Sequence, residues 1–89
     1  MRVVILDGSQ FTNQEVFHEI VSQQLDFPDY YGRNLDALWD CLTEVELPLK
    51  LVWRNFSDSQ KFLHEYADKA VKVFADAQEE LDGFSFEVS

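Results

Sequence analysis

Two aspartates, Asp36 and Asp40, stand four positions apart in the run Pro28-Asp29-Tyr30-Tyr31-Gly32-Arg33-Asn34-Leu35-Asp36-Ala37-Leu38-Trp39-Asp40. On a helix that spacing makes them surface neighbours, which repel by roughly a few tenths of a kcal/mol. Asp36 is partly compensated by the positive end of the helix dipole, and Asp40 is not. Such a pair can do one of two things. It can divide acid and base roles in hydrolysis, or it can offer fixed negative charge to a cationic partner. Hydrolysis needs a concave, water-excluding pocket, which one convex helix of a small chain does not supply. A second acidic pair, Asp76 and Glu80, stands near Glu79 and Asp82 at the end of a later helical run. There the negative end of the dipole disfavours acids. Both sets also fit plain solvated helix faces. His18 and His64 have no Cys or His at metal-ligand spacing and read as surface or helix-face residues. Neither a glycine-rich phosphate loop nor a nucleophile motif is present. No metal, no cofactor and no catalysis are expected.

The elements that must position these acids follow from periodicity. Asn34 is a good N-cap for a short helix. Leu35, Leu38 and Leu42 then form an apolar stripe, with Asp36, Asp40 and Thr43 on another face and Trp39 at the border. Upstream, Val3-Val4-Ile5-Leu6 is a continuous apolar run, which suits a central strand buried on both faces. Thr12 to Glu15 has the capping-box pattern, with Thr12 as cap. Val16, Phe17, Ile20, Val21 and Leu25 continue at helical spacing, and Phe27-Pro28 ends that helix. Downstream, Leu49, Leu51 and Trp53 alternate with Lys50, Val52 and Arg54 as a strand. Ser57 to Gln60 can form another capping box, opening helix to about Leu81 with a break around His64 to Ala67. Ala70, Val73, Phe74, Ala77 and Leu81 form its buried stripe, Asp82-Gly83 ends it, and Phe84, Phe86 and Val88 alternate as a final strand.

Strands separated by helices imply parallel pairing through crossovers. The expectation is an α/β fold: a three-stranded parallel sheet, order 2-1-3, covered by about four helices. With 89 residues, 46% of them apolar, the chain is expected to form one domain, 1–89, without disulfides. A single cysteine, Cys41, fits a reducing compartment. The apolar run at Val3 to Leu6 is too short for a signal peptide or membrane span, so a soluble, cytoplasmic protein is expected. The net charge is −10, and Arg33 is the sole cation between Arg2 and Lys50, against nine acids. Such a surface repels nucleic acid and attracts a basic partner, although acidity also serves solubility alone.

The run Tyr30-Tyr31-Gly32-x-Asn34-Leu35-Asp36-Ala37-Leu38-Trp39-Asp40-Cys41-Leu42-Thr43 resembles the signature segment of the barstar family, intracellular inhibitors of secreted ribonucleases. Weaker similarity continues through Pro48-Leu49-x-Leu51-x-Trp53 and Val73-Phe74. The resemblance implies a three-stranded parallel sheet with four helices. It also implies a 1:1 complex with a basic, guanyl-specific ribonuclease of the extracellular type; the oligomeric state of the free protein is left open, with a monomer favoured. Asp40 would take the place of an RNA phosphate, and Asp36 would pair with a rim cation. Tyr30, Tyr31, Gly32, Asn34 and Leu35 would line the approach beside Trp39 and Thr43, supplemented by Asp76 and Glu80. The chain departs from the best-known member at four places. Arg33 replaces an acid in the binding loop, Glu44 replaces a glycine, and Asp82 replaces a second cysteine. The turn after Thr43 is one residue shorter and lacks an interface tryptophan. A rival expectation is an acidic interaction module whose partner is not a ribonuclease.

Overall fold

The computed structural model describes residues 1–89, with strand β1 (Arg2–Asp7) leading through a short 3-10 turn (Gly8–Gln10) to helix α1 (Gln14–Gln24). Helix α2 (Leu35–Leu42), strand β2 (Leu49–Arg54), helices α3 (Phe56–Leu63) and α4 (Glu65–Glu80) and strand β3 (Phe84–Val88) follow. Three parallel strands and four helices are the α/β architecture the periodicity implies. The strand order differs from the expected 2-1-3. It is β1-β2-β3, with β2 in the middle: Leu51 pairs with Val4 on one side and Phe86 on the other.

The continuous apolar run of β1 misleads because its two faces meet different surroundings. Val4 and Leu6 point into the core with Leu49, Leu51 and Trp53 of β2 and with Phe84 and Phe86 of β3. Val3 and Ile5 lie on the other face and are 54% and 46% exposed, and β1 is an edge strand because only β2 pairs with it. In β2, Val52 is also buried on that face, flanked by Ile5 and Glu87 of the two neighbouring strands.

The helices pack on the inner face through an aromatic cluster. Phe11 meets Phe17 edge-on at 4.9 Å and Trp53 at 5.4 Å, geometries that suit the ring quadrupoles. The indole N–H of Trp53 donates to Ser59 Oγ at 2.9 Å, and Ser59 donates in turn to the Gly8 carbonyl at 2.9 Å. Gly8 is required at that meeting point, because a Cβ there would overlap Ser59 Oγ and lie 2.5 Å from the Arg54 carbonyl oxygen.

Two caps fall beside their expected places. Asn13, not Thr12, caps α1, its side chain accepting from the Val16 N–H at 2.9 Å. Helix α3 starts at Phe56, before the Ser57 capping box, from a left-handed Asn55 that donates through Nδ2 to Asp7 at 2.9 Å. The break between α3 and α4 falls at His64, within the expected interval. No helix is long and apolar enough to cross a membrane.

Candidate protein-binding site

Helix α2 is built as its residues dictate. Asn34 caps it, with Oδ1 accepting from the Ala37 N–H at 2.7 Å and Nδ2 donating to the Gly32 carbonyl at 3.3 Å. The asparagine therefore closes the helix and the preceding loop with one side chain. Leu38 and Leu42 are fully buried, and the stripe seats α2 against the core. Asp36 and Asp40 fall on the opposite face and are exposed. Thr43 ends the helix, its hydroxyl donating to the Asp40 carbonyl at 2.6 Å. Leu35 and Trp39 are half-buried at the margin, each packed on the core along one side.

The aspartates are left without cations. The ion pairs are Arg2–Asp26 at 3.3 Å, Lys50–Glu87 at 4.0 Å and Lys72–Asp76 at 3.5 Å, and none involves Asp36, Asp40 or Arg33. Arg33 is exposed and adopts φ +52°, a left-handed backbone uncommon for a residue with a side chain. The loop before it alternates in direction. Tyr30 is 83% exposed, Tyr31 is 8% exposed, and Gly32 is exposed again. Tyr31 is thus the one residue of the expected binding set whose ring points inward. Neither aspartate lines either of the two surface clefts, of about 310 and 260 Å³. The acids of α2 are presented on an exposed helix face outside both clefts.

On α4, Asp76 is half-buried and already held by Lys72, whereas Glu80 is exposed at the last residue of the helix. Cys41 is half-buried, and burial, then the charges of Glu44 and Asp40, push its thiol up and away from reactivity.

His18 is not the surface residue its isolation in the sequence suggests; it is 1% exposed. Its Nδ1 lies 2.6 Å from the Tyr31 hydroxyl and its Nε2 lies 2.5 Å from the Tyr66 hydroxyl. Burial, reinforced by the charge of Arg33, lowers its pKa from 6.5 to about 4, so the imidazole is neutral at pH 7. Burial raises the phenol pKa values of Tyr31 and Tyr66. The missed signal was helical register: His18 stands three positions before Val21 and seven before Leu25, on the stripe that α1 buries.

A capped acidic helix, its aspartates unpaired beside a tyrosine-bearing loop, packs against α4 in a fold built on a three-stranded parallel sheet. The sequence profile of the family described as Barstar (barnase inhibitor) matches residues 1–89. The chain belongs to the barstar family. A curated relative from Bacillus subtilis (strain 168), named "Putative ribonuclease inhibitor YrdF", is 60% identical over 82 residues, covering 91% of this chain and 90% of its own length. Membership in the barstar family accounts for the resemblance of the α2 segment. It leaves Arg33 as the departure within the loop that most alters the surface charge.

Proposed function

We propose that the chain is a non-catalytic, cytoplasmic inhibitor of a basic, guanyl-specific ribonuclease, which it blocks in a 1:1 complex. The observation that carries this is the pair Asp36 and Asp40: exposed, without cation partners, on a helix that is capped by Asn34 and seated by buried leucines. A ribonuclease cleft holds phosphate with Arg, Lys and His. An Arg fork accepts carboxylate and phosphate in the same bidentate geometry, so a carboxylate substitutes for the substrate. Asp40 enters where the phosphate binds, and Asp36 meets a cation at the rim. Tyr30, Gly32, Asn34, Leu35, Trp39 and Thr43 supply the surrounding contact, while the buried Tyr31 shapes it from within. Asp76 and Glu80 add a flanking negative patch. The net charge of −10 steers the encounter.

One observation favours a different partner. Arg33 projects a free charge from the binding loop, which is repulsive toward a cationic rim and suits a partner with an acid there. The deciding experiment adds purified protein to a secreted guanyl-specific ribonuclease and follows RNA cleavage. Activity should be lost at one equivalent. Full activity at excess protein would favour an interaction module with a partner of another kind.

A further inference from the structure

We propose that His18 and Tyr66 are positioning residues of the binding surface: a neutral imidazole held between two phenols fixes the loop Tyr30–Asn34 against α1 and α4. The functional meaning rests on the reading of that loop and α2 as the ribonuclease-facing surface; the mechanical tie does not.

The proton arrangement follows from burial. A neutral imidazole has one bare nitrogen and one N–H. The Tyr31 hydroxyl has His18 as its only side-chain partner, and donating its proton to Nδ1 satisfies it within the fold. Nε2–H then donates to the oxygen of Tyr66, a half-buried residue. An imidazolium would present two donors and strand the buried Tyr31 proton. Tautomer and neutrality are therefore set by one network.

The placement of the tie gives it consequence. Beyond it, the loop is held by the Tyr31 ring packed on Phe27 at 4.9 Å, a Tyr31 N–H bond to the Pro28 carbonyl at 3.0 Å and the Asn34 side chain, with the left-handed Arg33 between them. Holding Tyr31 inward fixes the outward direction of its neighbour Tyr30, which is 83% exposed. Tyr66 lies in the first turn of α4, the helix that carries Asp76 and Glu80. One imidazole thus joins the loop to the element bearing the flanking acids. The residues it joins are 13 and 48 positions from His18 in sequence.

The test is Tyr66→Phe, which keeps the ring and removes one hydroxyl. In the free protein, amide exchange at Tyr30 to Asn34 should accelerate. In complex with a basic guanyl-specific ribonuclease, dissociation should quicken by ~3- to 10-fold, the scale of one net hydrogen bond, with association unchanged. Phe86→Leu, a destabilising change on β3, is the control and should do neither. Ring nitrogen shifts at pH 7 should report the Nε2–H tautomer of His18. Loop exchange unchanged in Tyr66→Phe, equal acceleration in Phe86→Leu, or an Nδ1–H ring overturns the proposal. Absence of ribonuclease inhibition by the unaltered protein would instead remove the functional reading, and loop exchange would still decide the tie.

Discussion

The polar groups of α2 and those around His18 are handled in opposite ways. On α2, Asp36 and Asp40 are ionisable, exposed and without cation partners. Around His18, the imidazole is buried and neutral, and its two nitrogens each have a hydroxyl partner. No buried side-chain polar atom anywhere in the chain lacks a hydrogen bond. The contrast separates two uses of polarity. The aspartates of α2 stay exposed, where water solvates their charge at little cost. Groups that hold the fold are satisfied internally, because an unmet partner in the interior costs about 1–3 kcal/mol.

The sharpest break of this contrast is Asp40→Ala. Binding should weaken by about 2–5 kcal/mol, a range that itself rests partly on the barnase–barstar complex, because enzyme cations would be buried unpaired. The melting temperature should hold or rise slightly, since the Asp36–Asp40 repulsion is relieved. Calorimetric titration and thermal melts on one preparation measure both, and unchanged affinity or a collapsed melt would contradict the assignment.

The His18 region should show the reverse, a stability effect driven by acid. The folded group takes its proton near pH 4 and the unfolded group near 6.5, so between these values the unfolded chain binds more protons. Stability therefore falls as pH drops from 6.5 toward 4, by up to roughly 1.4 kcal/mol per pH unit from this group. Tyr31, Tyr66 and the charge of Arg33 are the groups that face it. Denaturant melts across that window should be steeper in pH for the unaltered protein than for His18→Gln. Equal slopes would mean that His18 is not buried neutral.

Salt sharpens the contrast further. Association with a basic ribonuclease should slow by about an order of magnitude between low salt and several times physiological ionic strength, as exposed charges are screened. Stopped-flow mixing reads this, and a salt-independent rate would remove the acidic face as the docking surface. The smallest effect is assigned to Arg33. Arg33→Glu should tighten binding to a barnase-like enzyme with a cationic rim by about 0–1 kcal/mol, the worth of an exposed charge, and weaken binding to an enzyme that places an acid there. Equal shifts against both would assign Arg33 no part in specificity.

Much of this was legible because it is written locally. The Asn34 cap, the leucine stripe of α2 and the acids opposite it lie within nine residues, and the helix they predict is the helix found. The four helices and three strands were likewise visible in runs of period 3.6 or 2. What was hidden depended on partners distant in sequence. An apolar Val3 or Ile5 does not reveal whether a helix or water covers its face, so β1 read as central when it is an edge. His18 could not announce Tyr31 and Tyr66, although its place on the buried stripe signalled its burial. Tyr31 was grouped with Tyr30 along the approach because nothing local distinguishes the two rings.

The all-parallel sheet also constrains how the chain finds its shape. Neighbouring strands cannot close as a hairpin, for Arg2 pairs with Leu49 and Leu49 with Phe84. Every ladder must wait for a long loop to close before any pairing rewards it, and such non-local topologies fold slowly for their size. Helices α1 and α4 can form from local contacts first, leaving the middle strand to be trapped between two edges brought in by collapse. Core substitutions at Leu51 or Trp53 of that strand should accordingly lower the folding rate more than they raise the unfolding rate. Changes at the open-faced Val3 should act almost wholly on unfolding.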